Sequence, residues 1–402
     1  MGLFHYQIAI ELLTLYLKAS AFFGNKKSKK SIEGKKNWQK NLSNLSSEKK
    51  TFWIHAASHG EAIMASSIIR KILNQKNKQV VMSFFSPSGY ENYDFEDENF
   101  HKFYLPFDTK TNSKKIIDFI NPSILIFVKY DLWLNLINEC HNRKIPSLVF
   151  SSKFRKSHWY FNILGESAKK ILQSMSLILI ADHSSEEVLQ ENRFTNFKYS
   201  GDTRFDSLNE VKINLVLDVK SPCVILGSSW RKEESITAEI IKDIDNVNWI
   251  IIPHEIKEKE ILKTKKLFGN SSKLYSEIDL RKPIPKILII DKIGILSDLY
   301  NYSDIAFVGG GFTGKLHNVL EAATKGNFIL FGPNIEQYPE AHLMLKENLA
   351  KIIHDSKELK NIILELIGNK ANLDKKKKKA IQIIKENKGA SEIVWSEIQK
   401  LV

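Results

Sequence analysis

Short apolar runs, separated by stretches of helical periodicity, restrict this chain more than any other feature. One series occupies residues 52–55, 80–84, 102–105, 124–128, 147–150 and 177–180. After a loop over 207–221, a second occupies 224–227, 249–252, 287–290, 305–308 and 328–331. Strands of this kind, alternating with helices, form parallel sheets, because a parallel pair needs a long return connection. The pattern predicts an α/β chain with two Rossmann-like domains facing across a cleft, 46–211 and 212–402, the second ending in an amphipathic helix over 380–402. A return of that helix onto the first domain is left open. At 402 residues the chain exceeds one ordinary core, and its 43% apolar content is too low for a polytopic membrane protein. No short-period repeat is visible.

Residues 1–45 read differently. Residues 3–23 are apolar and aromatic but interrupted by His5, Glu11 and Lys18, and Lys26, Lys27, Lys29, Lys30, Lys35 and Lys36 follow. No basic segment precedes the apolar stretch and no small-residue cleavage site follows it, so a cleaved signal is not expected. The pattern predicts a membrane-associated helix, spanning or interfacial, with a basic linker drawn to anionic headgroups. The alternative is a helix packed on the protein's own body. The net charge of +13 suits nucleic acid, anionic lipid or a phosphorylated substrate without choosing among them. Cys140 and Cys223 stand far apart, in no metal-ligand spacing, and read as reduced thiols.

Chemistry concentrates where apolar runs end. Trp53-Ile54-His55-Ala56-Ala57-Ser58-His59-Gly60-Glu61 breaks from a strand into a helix. A carboxylate at such a junction can accept a proton from a substrate hydroxyl, or simply cap the first helical turn. This segment alone favours the cap. Phe307-Val308-Gly309-Gly310-Gly311, followed by His317-Asn318-Val319-Leu320-Glu321, is a Gly-rich strand–helix turn of the sort whose N–H groups approach a phosphate, with Glu321 placed to meet a ribose diol. Ordinary packing glycines are the alternative. Neither the dinucleotide fingerprint nor a P-loop is present.

Lesser candidates are Ser228 and Ser229, which could hold a phosphate or cap a helix, and Pro253-His254, where the histidine could contact phosphate or base. Arg204 could bridge an anion or pair with Asp202 or Asp206, and Asp131, with Lys129, emerges at a strand end near Glu61 if the strands are parallel. No nucleophile elbow and no zinc-spaced histidine pair occurs, so metal chemistry is not indicated.

In this order the segments resemble the 3-deoxy-D-manno-octulosonic acid (Kdo) transferases over nearly the whole chain. His55-x-x-Ser58-x-Gly60-Glu61 is similar to the family's first-domain signature, in which the glutamate is the base. Asp131-Leu132-Trp133 stands where the family usually has Glu-Leu-Trp, and Arg204 where it usually has lysine; the resemblance assigns both to transition-state stabilisation. Pro253-His254 resembles its Pro-Arg-His without the arginine, and Ile293-Gly294-Ile295-Leu296 its Met-Gly-Glu-Leu without the acid. His317-Asn318-Val319-Leu320-Glu321 is similar to its His-Asn-x-Leu-Glu, although Lys315-Leu316 replaces a glycine.

The resemblance implies a GT-B glycosyltransferase. Its donor would be CMP-Kdo, its acceptor a lipid A precursor, and its catalytic residues Glu61, Asp131 and Arg204. The substrate contacts it implies are Ser58, Ser228, Ser229, Pro253, His254, Ile293, Gly294, Ile295, Gly309–Gly311, Asn318, Val319, Leu320 and Glu321. It further implies attachment to the anionic inner membrane on the cytoplasmic side, and no cofactor, metal or nucleic acid. The rival readings are another GT-B enzyme, such as a UDP-sugar transferase or epimerase, and a non-catalytic membrane-bound scaffold.

Overall fold

The computed structural model describes residues 3–208 and 215–402, so the expected domain boundary at 211/212 lies outside the described residues. Two compact units form: Met1–Ser207 together with Asn387–Val402, and Leu208–Glu386.

The first unit contains β1 (Lys50–Ala56), β2 (Lys78–Phe84), β3 (Phe100–Tyr104), β4 (Ile124–Val128), β5 (Ser147–Ser152), β6 (Leu177–Ile180) and β7 (Phe197–Tyr199). They make one parallel seven-stranded sheet in the order β3-β2-β1-β4-β5-β6-β7. The central strands are apolar on both sides because both faces are covered. Trp53, Phe103 and Phe127 point to one face, while Phe52, Ile54 and Phe150 point to the other.

The second unit contains β8 (Cys223–Ser229), β9 (Asn248–Pro253), β10 (Ser272–Leu274), β11 (Ile287–Ile289), β12 (Ile305–Val308), β13 (Phe328–Phe331) and β14 (Ala350–Ile352). It too is a parallel seven-stranded sheet, ordered β10-β11-β9-β8-β12-β13-β14. Strand order reverses between β1 and β4 in one sheet and between β8 and β12 in the other. Ligands of open α/β sheets gather outside the carboxyl ends of strands at these points.

Two expectations about boundaries are corrected. The C-terminal helix Ala390–Leu401 belongs to the first unit, where Val394, Trp395 and Ile398 complete the core beside Phe52 and Ile69. Asp206 fixes its start by accepting hydrogen bonds from the backbone N–H groups of Gly389 (2.7 Å) and Ser391 (2.6 Å). Residues 1–45 are likewise part of this unit, since Ile10, Trp38 and Leu42 are buried in its core.

The helix Phe4–Phe22 is anchored through Tyr6, whose hydroxyl donates to Asp108 at 2.6 Å. Asp108 also accepts from the Ser113 hydroxyl and from the N–H groups of Asn135 and Leu136, in the first turn of the helix Leu134–Asn142. Lys35 is buried too, donating to the carbonyls of Phe85 (2.9 Å) and Leu105 (2.8 Å) beneath the Phe85 ring. Burial pushes its ammonium down to about 7, against the pull of Asp131. Lys35 is therefore a structural latch, and the exposed basic cluster comprises Lys26, Lys27, Lys29, Lys30 and Lys36. No described helix is long and apolar enough to cross a membrane.

Candidate active site

At the carboxyl ends of β1 and β4, the chain places Glu61 and Asp131. Ser58 caps the helix His59–Leu73, accepting from the Glu61 N–H at 3.4 Å, and Glu61 Oε2 reaches back to accept from the Ala57 N–H at 2.6 Å. Glu61 thus does cap, as the local sequence favours, and the same bonds hold its carboxylate at the switch point. Burial raises its pKa above the usual 4.5, with Asp131 adding to the rise; the Ala57 N–H and Lys129 oppose it. A partly desolvated glutamate is a stronger base than an exposed one.

Asp131 is gripped by its neighbours. Its Oδ2 lies 2.9 Å from His55 Nε2 and 3.1 Å from Trp133 Nε1. Lys129, between β4 and this aspartate, has φ of 64°, and Ser228, at the equivalent end of β8, has φ of 51°. Non-glycine residues in the left-handed region are uncommon and cluster at functional sites. Arg204 lies past β7, but Thr203 bonds Ser151 at the end of β5, folding the segment back. Tyr130 lies within electrostatic reach of Arg204, Arg155, Asp182 and Asp202, and burial raises its phenol pKa.

In the second unit, Ser229 pairs with Pro253 across β8 and β9, and His254 N–H donates to the Ser229 carbonyl at 2.8 Å. The His254 ring stacks on Trp230 at 4.4 Å and meets His317 at 4.7 Å. Burial lowers both imidazoles, His317 to about 4, so they are neutral at physiological pH. Neutral flat rings suit stacking on a base better than pairing with a phosphate. A cavity of roughly 170 Å³ opens here, lined by Trp230, Arg231, Glu234, Pro253 and His254 among others. Asn318 caps the short helix Val319–Thr324, and its Nδ2 donates to Glu321 Oε1 at 3.2 Å.

Several expected contacts are corrected. The Gly310 N–H donates to Glu233 Oε1 at 2.8 Å and the Gly309 N–H to the Gly227 carbonyl at 2.9 Å, so neither amide is offered to a phosphate. These are packing glycines: a Cβ on Gly309 would strike the Ser228 carbonyl, one on Gly310 the Lys315 carbonyl and one on Gly311 the Gly332 backbone. The Ser229 hydroxyl is spent internally, on Glu234 and the Ile252 carbonyl. Ile295, Val319 and Leu320 turn their side chains into the core, leaving Gly294, the exposed Ile293, Asn318 and Glu321 on the outer side.

Sequence reasoning missed Glu233 and Glu234 altogether. Both are buried. Glu233 binds the Gly-rich turn, and Glu234 accepts from Ser229 and Thr264 and pairs with Arg231 at 2.7 Å. Their only signal was two adjacent acids opening a helix after a strand. Among the described residues no group of three or more His, Cys, Asp or Glu side chains is placed to hold a metal.

The sequence profile of a family described as "3-Deoxy-D-manno-octulosonic-acid transferase (kdotransferase)" matches residues 36–207, the greater part of the first unit. A 3-deoxy-D-manno-octulosonic acid transferase of Haemophilus influenzae is 26% identical over 368 residues, covering 84% of this chain and 84% of its own. The profile and the relatives together support the Kdo transferase family for this chain.

A Kdo transferase of Chlamydophila psittaci is 24% identical, with 87% of this chain and 85% of its own aligned. A bifunctional glycosyltransferase/methyltransferase of Fusobacterium nucleatum is 26% identical over 80% of this chain, which spans about half (53%) of that longer protein. In fold, this chain is similar to a UDP-GlcNAc 2-epimerase of Neisseria meningitidis (TM-score 0.59, 14% identity, 87% of this chain and 100% of that one). It is also similar to MurG of Acinetobacter baumannii (TM-score 0.56, 15% identity, 87% and 99%). Both likenesses support the two-sheet GT-B class of fold.

Proposed function

We propose that this chain is a Kdo transferase that moves Kdo from CMP-Kdo to the lipid A precursor lipid IVA, with inversion, in lipopolysaccharide core assembly. The observation that carries the reading is the family match across the unit that holds Glu61 at the switch point of its sheet. The acceptor hydroxyl oxygen bonds to the Kdo anomeric carbon as the bond from that carbon to the CMP phosphate oxygen breaks. CMP leaves with the electron pair, and the hydroxyl proton passes to Glu61, whose Oε1 is not the oxygen held by Ala57. Asp131 and Arg204 supply charge around the reacting centre, and the second unit holds CMP with Trp230, His254, Asn318 and Glu321. Because CMP is a good leaving group, positioning and electrostatics supply most of the acceleration.

Incubating the protein with labelled CMP-Kdo and a tetraacylated precursor, and weighing the product, tests the reading. A mass gain of one or more Kdo units supports it. No transfer, together with thermal stabilisation by UDP and not by CMP, overturns it in favour of a UDP-sugar enzyme. Activity should also carry the signature of a raised carboxyl. A base must be ionised, so kcat/KM falls as pH drops through the Glu61 pKa, and the acid limb should lie above 4.5. An acid limb at or below that value would remove Glu61 from the role.

The proposal extends to the anionic inner-membrane surface, cytoplasmic side. Phe4, Ile8, Leu12, Leu15 and Phe22 recur at helical spacing and are exposed, beside the exposed lysines that follow. An apolar stripe with flanking cations suits a helix lying in the interface. Sedimentation with phosphatidylglycerol vesicles should exceed that with phosphatidylcholine vesicles, and Leu12→Asp with Leu15→Asp should reduce it at least tenfold. Equal pelleting of the variant would discard this surface.

A further inference from the structure

His55 has no role in the transfer chemistry above, although it is fully buried and bonded at both ring nitrogens. Parallel register seats it beside Ser83 on β2 and Phe127 on β4. Trp53, two residues earlier on the same strand face, donates from Nε1 to Ser83 Oγ at 2.9 Å. Ser83 Oγ lies 2.9 Å from His55 Nδ1, and His55 Nε2 lies 2.9 Å from Asp131 Oδ2. Trp133 Nε1 is 3.1 Å from that oxygen and 2.9 Å from His55 Nε2.

With one proton on the ring, only the Nε2–H form gives every donor an acceptor; it gives up Trp133 Nε1 as a donor to His55 Nε2 at 2.9 Å and leaves that indole to Asp131 at 3.1 Å. Both indoles can only donate, and an ionised carboxylate can only accept. If Nε2 carried no hydrogen, its lone pair would face that of Asp131 at 2.9 Å. With the hydrogen on Nε2, Trp53 donates to Ser83, the Ser83 hydroxyl donates to Nδ1, Nε2–H donates to Asp131, and Trp133 donates to the same oxygen. Every bond then points towards Asp131.

We propose that His55 is the positioning residue of Asp131. Its tautomer is set by the Trp53–Ser83 relay, and it holds Oδ2 so that Oδ1 is presented in one fixed direction. The proposal rests on the reading of Asp131 as part of the transfer machinery, but its first test does not need that reading. In protein labelled with 15N-histidine, His55 should appear as the Nε2–H tautomer, with a slowly exchanging ring proton. In Asp131→Ala, Nε2 loses its acceptor and Trp133 remains as its donor, so the ring should switch to Nδ1–H. Finding Nδ1–H or a doubly protonated ring in the unsubstituted protein overturns the proposal, whether or not the protein transfers Kdo.

Kinetics then separate positioning from packing. His55→Leu keeps the volume but not the donor, and should lower kcat at least tenfold with the KM for donor little changed. His55→Gln, whose amide can donate to Asp131, should recover most of that loss. Ser83→Ala should lower kcat severalfold by the same route. Equal kcat in His55→Leu and His55→Gln, with both folded, would reduce the relay to a packing device and overturn the proposal.

Discussion

Glu61→Gln is expected to lower the rate of Kdo transfer by about 10²–10⁴-fold, the usual worth of a general base, while CMP still stabilises the protein. The substitution is nearly isosteric, and the amide oxygen can keep accepting from the Ala57 N–H, so the helix start survives. What is lost is the basic oxygen. The hydroxyl proton would then have to pass to water, and removing the carboxylate also leaves Asp131 without the like charge beside it. In the proposed function CMP is held by the second unit, whereas Glu61 belongs to the first. Transfer assayed alongside a CMP thermal shift separates the two effects. Undiminished transfer would return Glu61 to the role of a cap.

Glu233→Ala should damage the second unit more than any ligand-contact substitution. The carboxylate accepts from the N–H groups of Gly310 and Trp230, and Phe312 N–H lies close enough to lower its pKa, although burial raises it overall. Alanine leaves these buried donors without an acceptor, at about 1–3 kcal/mol each, or roughly 3–5 kcal/mol together. For a unit of this size that is a fall on the order of 10 °C in its melting temperature. The Trp230–His254–His317 stack rests on the same segment, so stabilisation by CMP should vanish too. Asn318→Ala, by contrast, should lose CMP stabilisation and little stability. An unshifted transition in Glu233→Ala would show that the Gly-rich turn holds its shape without the carboxylate.

Much of this fold was legible because the inner strands are buried on both faces and must be apolar. The strands that escaped notice are β7, β10 and β14, each three residues long and each at or near the end of its sheet order. All have a lysine in the middle, Lys198, Lys273 and Lys351. Edge strands are kept short and charged because unpaired edges invite aggregation, and this erases the apolar signal.

The Gly-rich turn shows the opposite failure. Its glycines were visible, but the acceptor that occupies the Gly310 amide lies 77 residues away and no local pattern pointed to it. Similarly, His55 stands within a visible motif, yet its meaning depends on the register that sets it against Ser83. Lys35 read as one more cation in a basic run until packing placed it beneath Phe85.

The first unit is not made from one continuous stretch of chain: it is left at Ser207 and rejoined at Asn387. On the ribosome this inverts the order of synthesis and completion. The segment Leu208–Glu386 is continuous and can close its core as soon as it emerges, whereas the sheet begun earlier must wait with part of one face uncovered for Val394, Trp395 and Ile398. Pulse proteolysis of stalled nascent chains should therefore find the later-made unit protected first. A first unit that is already resistant before residue 387 emerges would contradict this order.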